Sequence, residues 1–168
     1  MKLQPSDGPL DAFFRPVRRR HPEVDIVVLP AAEATPPVEP LDEAQVAATL
    51  DQVATTAELA WDAFGLRATA APTASWRYGT DDGTVLASAR AGTTTPDGFG
   101  ALVTLRGSLE AAGWRVRRLP GALERLSGAR GALRVQASYA EDTGALLLEV
   151  SSRPLLVGRT RARELVRR

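Results

Sequence analysis

Between Leu133 and Ser151 the chain alternates apolar and polar residues in two runs joined by a turn, and that period of two commits it to a sheet. Leu133, Val135, Ala137 and Tyr139 alternate with Arg134, Gln136 and Ser138. Beyond AEDTG, Leu146, Leu148 and Val150 alternate with Ala145, Leu147, Glu149 and Ser151. Successive strand side chains point to opposite faces, so this pattern buries one face and leaves the other polar. Gly144 is placed to close the loop with a positive φ. Leu147, on the polar side, points to a strand partly covered on both faces.

A buried sheet face needs partners with a helical period, and two segments supply it. In 42–64, Val46, Leu50, Val53, Ala57, Ala60 or Trp61, and Phe64 recur every three or four residues. Asp42 and Gln45 form a capping-box pair at its start, and Gly65 can end it in a left-handed conformation. In 97–112, Asp97 caps a stripe of Phe99, Leu102, Leu105, Leu109 and Ala112, and Gly113 stops it.

Further strands are expected at Ser75–Tyr78 and Thr84–Arg90, joined by GTDDG, and in WRVRRL from Trp114. Val24–Leu29, bounded by Pro22 and Pro30, is a β-branched strand candidate. A short amphipathic helix is expected around Leu10, Phe13, Phe14 and Val17, and GALERLSG reads as a short helical excursion. The expectation is an α+β fold: an antiparallel or mixed sheet of about five to six strands with two main helices packed on one face. A single domain is expected over 1–168, with a Pro-rich connector at 30–40 and a short C-terminal helix at 160–168.

Composition narrows the chemistry. The 168 residues include no cysteine and one histidine, which excludes disulfides, thiolate catalysis and thiolate or His-rich metal sites. No run approaches the roughly 18 apolar residues of a membrane span, and the N-terminus lacks a secretory signal, so a cytoplasmic protein is expected. The net charge of +1 hides a strong segregation: residues 1–22 carry +3, 23–71 carry −8 and 72–168 carry +6. Either these segments neutralise one another across the fold, or an acidic helix stands opposite a basic, partner-binding face. All basic charge except Lys2 is arginine, which stays ionised when partly buried and binds carboxylate or phosphate with two parallel hydrogen bonds. Coding bias toward GC-rich codons accounts for the same composition.

No catalytic motif emerges. GxxxxGK[ST], a strand-to-helix GxGxxG and a GxSxG elbow are all absent from the sequence. PDGFG reads as a turn and cap rather than an anion site. Asp81-Asp82 and Glu141-Asp142 sit beside turn glycines and lack the ligand spacing of a calcium loop. His21, in RRRHPE, is the one neutral-pH base candidate and reads as solvated or structural. No catalytic, cofactor-binding or metal-binding residue is assigned, and no cofactor is expected.

Three arginine groups stand out: Arg15, Arg18, Arg19 and Arg20; Arg115, Arg117 and Arg118; and Arg159, Arg161, Arg163, Arg167 and Arg168. If they converge they form a surface for phosphates or an acidic protein. Trp61, Trp76, Tyr78, Phe99 and Trp114 either line a pocket under the helices or pack the core, the core being favoured. The run LEAAGWRVRRLPG…RGALRVQASYAEDTGALLLEVSS, Leu109–Ser152, resembles the C-terminal half of small actinobacterial α+β proteins, many of them lipoproteins. That resemblance implies a helix, a GW.V strand and a hairpin turning at DTG, and it carries over no catalytic residue. The leading expectation is a non-enzymatic protein-binding or regulatory module, its partner another protein or a second copy in a homodimer. Leu155, Leu156 and Val157 would serve such a dimer if exposed. The alternatives are a small-molecule-binding domain or enzyme and a weak nucleic-acid binder; nucleic acid and membrane are the disfavoured partners.

Overall fold

The computed structural model describes residues 15–17, 19–23, 41–65 and 71–167. The chain divides into two compact units, Met1–Pro37 and Val38–Arg168. In the first, residues 15–17 and 19–20 are helical and the His21 amide donates to the Val17 carbonyl at 2.8 Å. The strand expected at Val24–Leu29, the connector at 30–40 and most of the helix around Leu10–Val17 lie outside the described residues.

The second unit is an α+β fold built on an antiparallel sheet. Helix α1 (Glu43–Asp62) is followed by β1 (Thr73–Tyr78), β2 (Thr84–Thr94), α2 (Gly98–Ala111), β3 (Arg115–Leu119), β4 (Glu124–Arg130), β5 (Leu133–Ala140), β6 (Ala145–Ser152), β7 (Leu155–Leu156) and α3 (Arg159–Val166). The strand order is β1-β2-β6-β5-β4-β3, with β7 also paired to β2. The described residues thus hold seven strands and three of these helices, more than the five to six strands and two main helices expected. One extra strand comes from GALERLSG, which is β4 and not a helical excursion. Its good helix formers are overridden by pairing on both sides, to β3 and to β5.

Local chemistry sets the helix boundaries. Asp42 Oδ1 accepts from the Gln45 amide at 2.7 Å while Gln45 Oε1 accepts from the Asp42 amide at 3.3 Å, closing the capping box of α1. Asp97 Oδ1 accepts from the Gly100 amide at 3.1 Å and caps α2. Gly98, the first residue of α2, is buried against the Tyr139 ring, and the Tyr139 hydroxyl donates to the Pro96 carbonyl at 3.2 Å. Only a residue without a side chain fits that approach.

Alternation sorts the sheet into two faces. Val85, Ala87 and Ala89 of β2, Val135, Ala137 and Tyr139 of β5, and Leu146, Leu148 and Val150 of β6 are buried on one face. That face is covered by α1, which lies against β1, β2 and β6, and by α2, which lies against β3, β4 and β5. Helix α3 packs on β1 and β2, its Ala162 and Leu165 buried. The α1 stripe is buried at Val46, Val53, Ala57, Ala60, Trp61 and Phe64, while Leu50 is only partly buried, in a groove shared with Trp76 and Leu165.

Strands β6 and β7 are one strand interrupted by a bulge. Ser88 pairs with Ser151 but Thr84 pairs with Leu156, so the partner strand gains one residue around Arg153-Pro154. Ser152 repairs the ladder: its hydroxyl accepts from the buried Ala87 amide at 3.1 Å and donates to the Arg153 carbonyl at 2.8 Å. Leu155 and Val157 are buried beyond the bulge and Leu156 is half-buried. They belong to the core and the sheet and do not form the exposed dimer patch considered from the sequence.

Candidate binding face

The other face of the sheet carries the arginines. Cross-strand register places side chains in rows on that face. One row runs Arg90, Glu149, Gln136, Ser127, Arg117 across β2, β6, β5, β4 and β3. The next runs Ser75, Ser88, Ser151, Arg134, Ala129, Arg115 from β1 to β3. A third holds Gly92, Leu147, Ser138, Arg125 and Leu119, and Arg77 flanks the set on β1 beside Leu86. Adjacent strands stand about 4.8 Å apart and alternate residues about 6.7 Å apart, so the face is a grid of guanidinium groups over a floor of serines and small residues.

Among the described residues, six arginines, at positions 77, 90, 115, 117, 125 and 134, share this face with one carboxylate, Glu149. Glu149 is fully engaged. Its Oε1 accepts from Arg77 Nη1 at 3.0 Å, from Arg90 Nη2 at 3.0 Å and from the Ser88 hydroxyl at 3.1 Å, and its Oε2 accepts from Arg90 Nη2 at 3.1 Å. Arg115, Arg117, Arg125 and Arg134 have no carboxylate within 4.0 Å among the described residues. Arg125 Nη2 instead donates to the Pro120 carbonyl at 3.0 Å. A concavity of 640 Å³ opens on this face between Arg90, Arg125, Gln136, Ser138, Leu147 and Glu149. Leu147, 55% exposed, supplies an apolar contact at its centre.

The opposite surface is acidic. Glu43, Asp51, Glu58 and Asp62 all lie on exposed positions of α1. The C-terminal arginines are turned to this side's acids: Arg161 bonds Glu164 at 3.1 Å and Glu43 at 2.7 Å, and Arg159 pairs with Asp82. Hydrogen bonds to Glu164 and then Glu43 hold the Arg161 guanidinium above its ordinary pKa. Arg159 and Arg161 are therefore locally compensated, whereas Arg163 and Arg167, like Arg115, Arg117, Arg125 and Arg134 of the sheet, have no carboxylate within 4.0 Å among the described residues.

Sequence grouping also misplaced one arginine. Arg118 alternates away from Arg115 and Arg117 onto the helix-covered face, where its Nε donates to Glu124 Oε2 at 2.8 Å. Arg77, Arg90, Arg125 and Arg134, isolated in sequence, join the site only through strand register. Of the first group, Arg15, Arg19 and Arg20 are exposed in the other unit, and Arg18 lies outside the described residues.

The remaining candidates disperse. His21 is exposed, with Nδ1 3.3 Å from Glu23 Oε1. Asp81 accepts from Thr84 through its carbonyl, and Asp142 Oδ1 accepts from the Thr143 amide at 2.9 Å. No three His, Cys, Asp or Glu residues are grouped to hold a metal ion among the described residues. Trp61, Trp76 and Trp114 are buried, Trp61 edge-to-face with Phe64 at 5.4 Å and Trp114 beneath the Arg130 guanidinium at 5.3 Å. Tyr78 and Phe99 are more than half exposed at separate places, so the five aromatics do not line one pocket. No described helix is long and apolar enough to cross a membrane. No protein-family model, no curated protein and no solved structure matches this chain.

Proposed function

We propose that the chain is a non-enzymatic binding module that receives an acidic protein surface on the open face of its sheet. The observation that carries this function is the six-to-one excess of arginine over carboxylate on a face that no described element covers. Arginine presents a fixed fork that matches a carboxylate through two hydrogen bonds and sheds its hydration readily. Leu147 gives a partner a small apolar contact, and Gln136, Ser138 and Ser151 give neutral hydrogen-bonding groups between the charges. The acidic outer surface of α1 makes the unit electrically polar, which orients an acidic partner toward the sheet and away from the helices.

A protein is preferred over single-stranded nucleic acid because the described residues of this face include no aromatic platform. Its tryptophans are spent in the core under the helices, and base stacking contributes roughly 1–3 kcal/mol per base where a platform exists. Isologous pairing of two such faces would set arginine against arginine, so a homodimer is disfavoured here.

The test is fluorescence anisotropy of the full chain with labelled polyglutamate, duplex DNA and single-stranded DNA at low and physiological salt. Polyglutamate is expected to bind with strong salt dependence and to lose at least roughly tenfold in affinity when Arg117 and Arg134 are both changed to glutamate. Changing Asp51 and Glu58 to lysine should leave binding by the sheet face in place. Unchanged affinity in the Arg117→Glu, Arg134→Glu variant would refute the assignment, and tighter binding to DNA than to polyglutamate would replace it with a nucleic-acid function.

A further inference from the structure

We infer that the acidic partner adds a strand to the β3 edge of the sheet, so that the module recognises an extended segment with acidic residues at alternate positions. This rests on the proposed function and gives the partner a form and an attachment line. Among the described residues, strand β3 pairs only with β4, and its other edge ends the sheet. In antiparallel pairing each residue turns both backbone groups to the same side, alternately. The Ala87 amide reaching Ser152 and the Thr95 amide reaching the Gly144 carbonyl at 2.9 Å fix that alternation for β2. Carried through the register, it turns Arg115, Arg117 and Leu119 toward β4 and the backbone groups of Val116 and Arg118 outward.

Charge selects what can dock on that edge. Arg115 and Arg117 stand about 6.7 Å apart on the open face, the repeat of alternate side chains in an added strand. Two copies of β3 would set these charges against each other, which is how edge strands avoid self-pairing. An acidic strand meets no such barrier and gains cross-strand ion pairs. On the opposite face, beside Arg118 of β3, lies a groove of 120 Å³ in which the apolar Phe99, Leu102, Val103 and Leu126 adjoin the ion-paired Arg118 and Glu124. Phe99 and Val103 are 53% and 55% exposed, so this groove presents apolar surface to the alternate residues. The matching segment is acidic on one side and aliphatic on the other, a recognition mode in which backbone bonds give affinity and alternate pockets give specificity.

The test uses a labelled eight-residue peptide of alternating glutamate and valine against the full chain, with a block peptide of four glutamates followed by four valines as control. The alternating peptide should bind more tightly than the block peptide. Arg118→Pro removes an outward amide without touching the β3–β4 ladder, whereas Arg118→Ala removes the same side chain and keeps that amide. Binding should fall at least roughly tenfold in Arg118→Pro relative to Arg118→Ala, with matching thermal melts and matching polyglutamate affinity. Arg115→Glu with Arg117→Glu should lose the alternating peptide as well. Equal binding by the two Arg118 variants would overturn strand addition while leaving polyglutamate binding to the face intact. Equal affinity for the two peptides would also overturn it, as would failure of the alternating peptide to bind at low salt.

Discussion

Two glycines on α2 should respond to alanine with opposite signs. Gly107 lies mid-helix and exposed, and a Cβ there meets nothing within 4 Å. Alanine restricts the unfolded chain and favours helix, so Gly107→Ala should stabilise by about 0.5–1 kcal/mol. Gly98 is the first residue of the same helix, where the propensity gain is small. A Cβ on Gly98 would collide with the Tyr139 ring. That ring is held by its hydroxyl on the Pro96 carbonyl at 3.2 Å, two residues before the glycine, so it cannot swing away without losing the bond. Overpacking of this kind costs roughly 1–3 kcal/mol, and the lost hydrogen bond adds about 1 kcal/mol if the ring yields. Gly98→Ala should therefore destabilise by about 1–3 kcal/mol. Urea titrations of the two variants would measure this, with unchanged m-values expected because the surface exposed on unfolding is the same. If both substitutions stabilise by similar amounts, the close approach of α2 to Tyr139 is wrong and with it the placement of the helix on β5.

Other substitutions probe other parts of the unit. Ser152→Ala leaves the buried Ala87 amide without its 3.1 Å acceptor and should cost roughly 1–3 kcal/mol in the same titration, whereas a neutral result would refute the bulge repair. Leu105→Ala, at a fully buried site, should cost roughly 2–5 kcal/mol, and Leu50→Ala, partly buried, about 1–2 kcal/mol. Reversal of that order by thermal or urea melts would contradict the orientation of α1 or α2. Glu149→Gln removes the one carboxylate of the arginine face and should tighten polyglutamate binding severalfold at low salt, since Arg77 and Arg90 are released to the partner. Weaker binding in that variant would mean Glu149 is needed to hold the arginines in place.

Local signals were readable wherever a residue type does one job in one place. The Asp42–Gln45 capping box and the Asp97 cap were visible because such bonds span three residues. The hairpin over Leu133–Ser151 was visible for the same reason, its alternation being complete within each strand. What escaped was set by distant partners. Strand β2 continues past Arg90 through Ala91–Thr94 because β6 pairs with it there, although Gly92 and the threonines look like a turn. Strand β4 hides in helix-forming residues, and β7 lies beyond a proline that the bulge accommodates. The candidate binding face was the least legible feature. Its arginines come from five strands, and only register shows that Arg90, Arg117 and Arg134 share a surface while Arg118 does not.

Arginine footprinting is the most direct test of the arginine face. The full chain would be modified with phenylglyoxal, with and without polyglutamate at low salt, and read residue by residue by mass spectrometry. Bound polyglutamate should protect Arg90, Arg117, Arg125 and Arg134, while Arg106 on α2 and Arg163 on α3 react at their unliganded rates. Protection concentrated on Arg106 and Arg163, or spread evenly over all exposed arginines, would show that the open face of the sheet is not where the acidic partner binds.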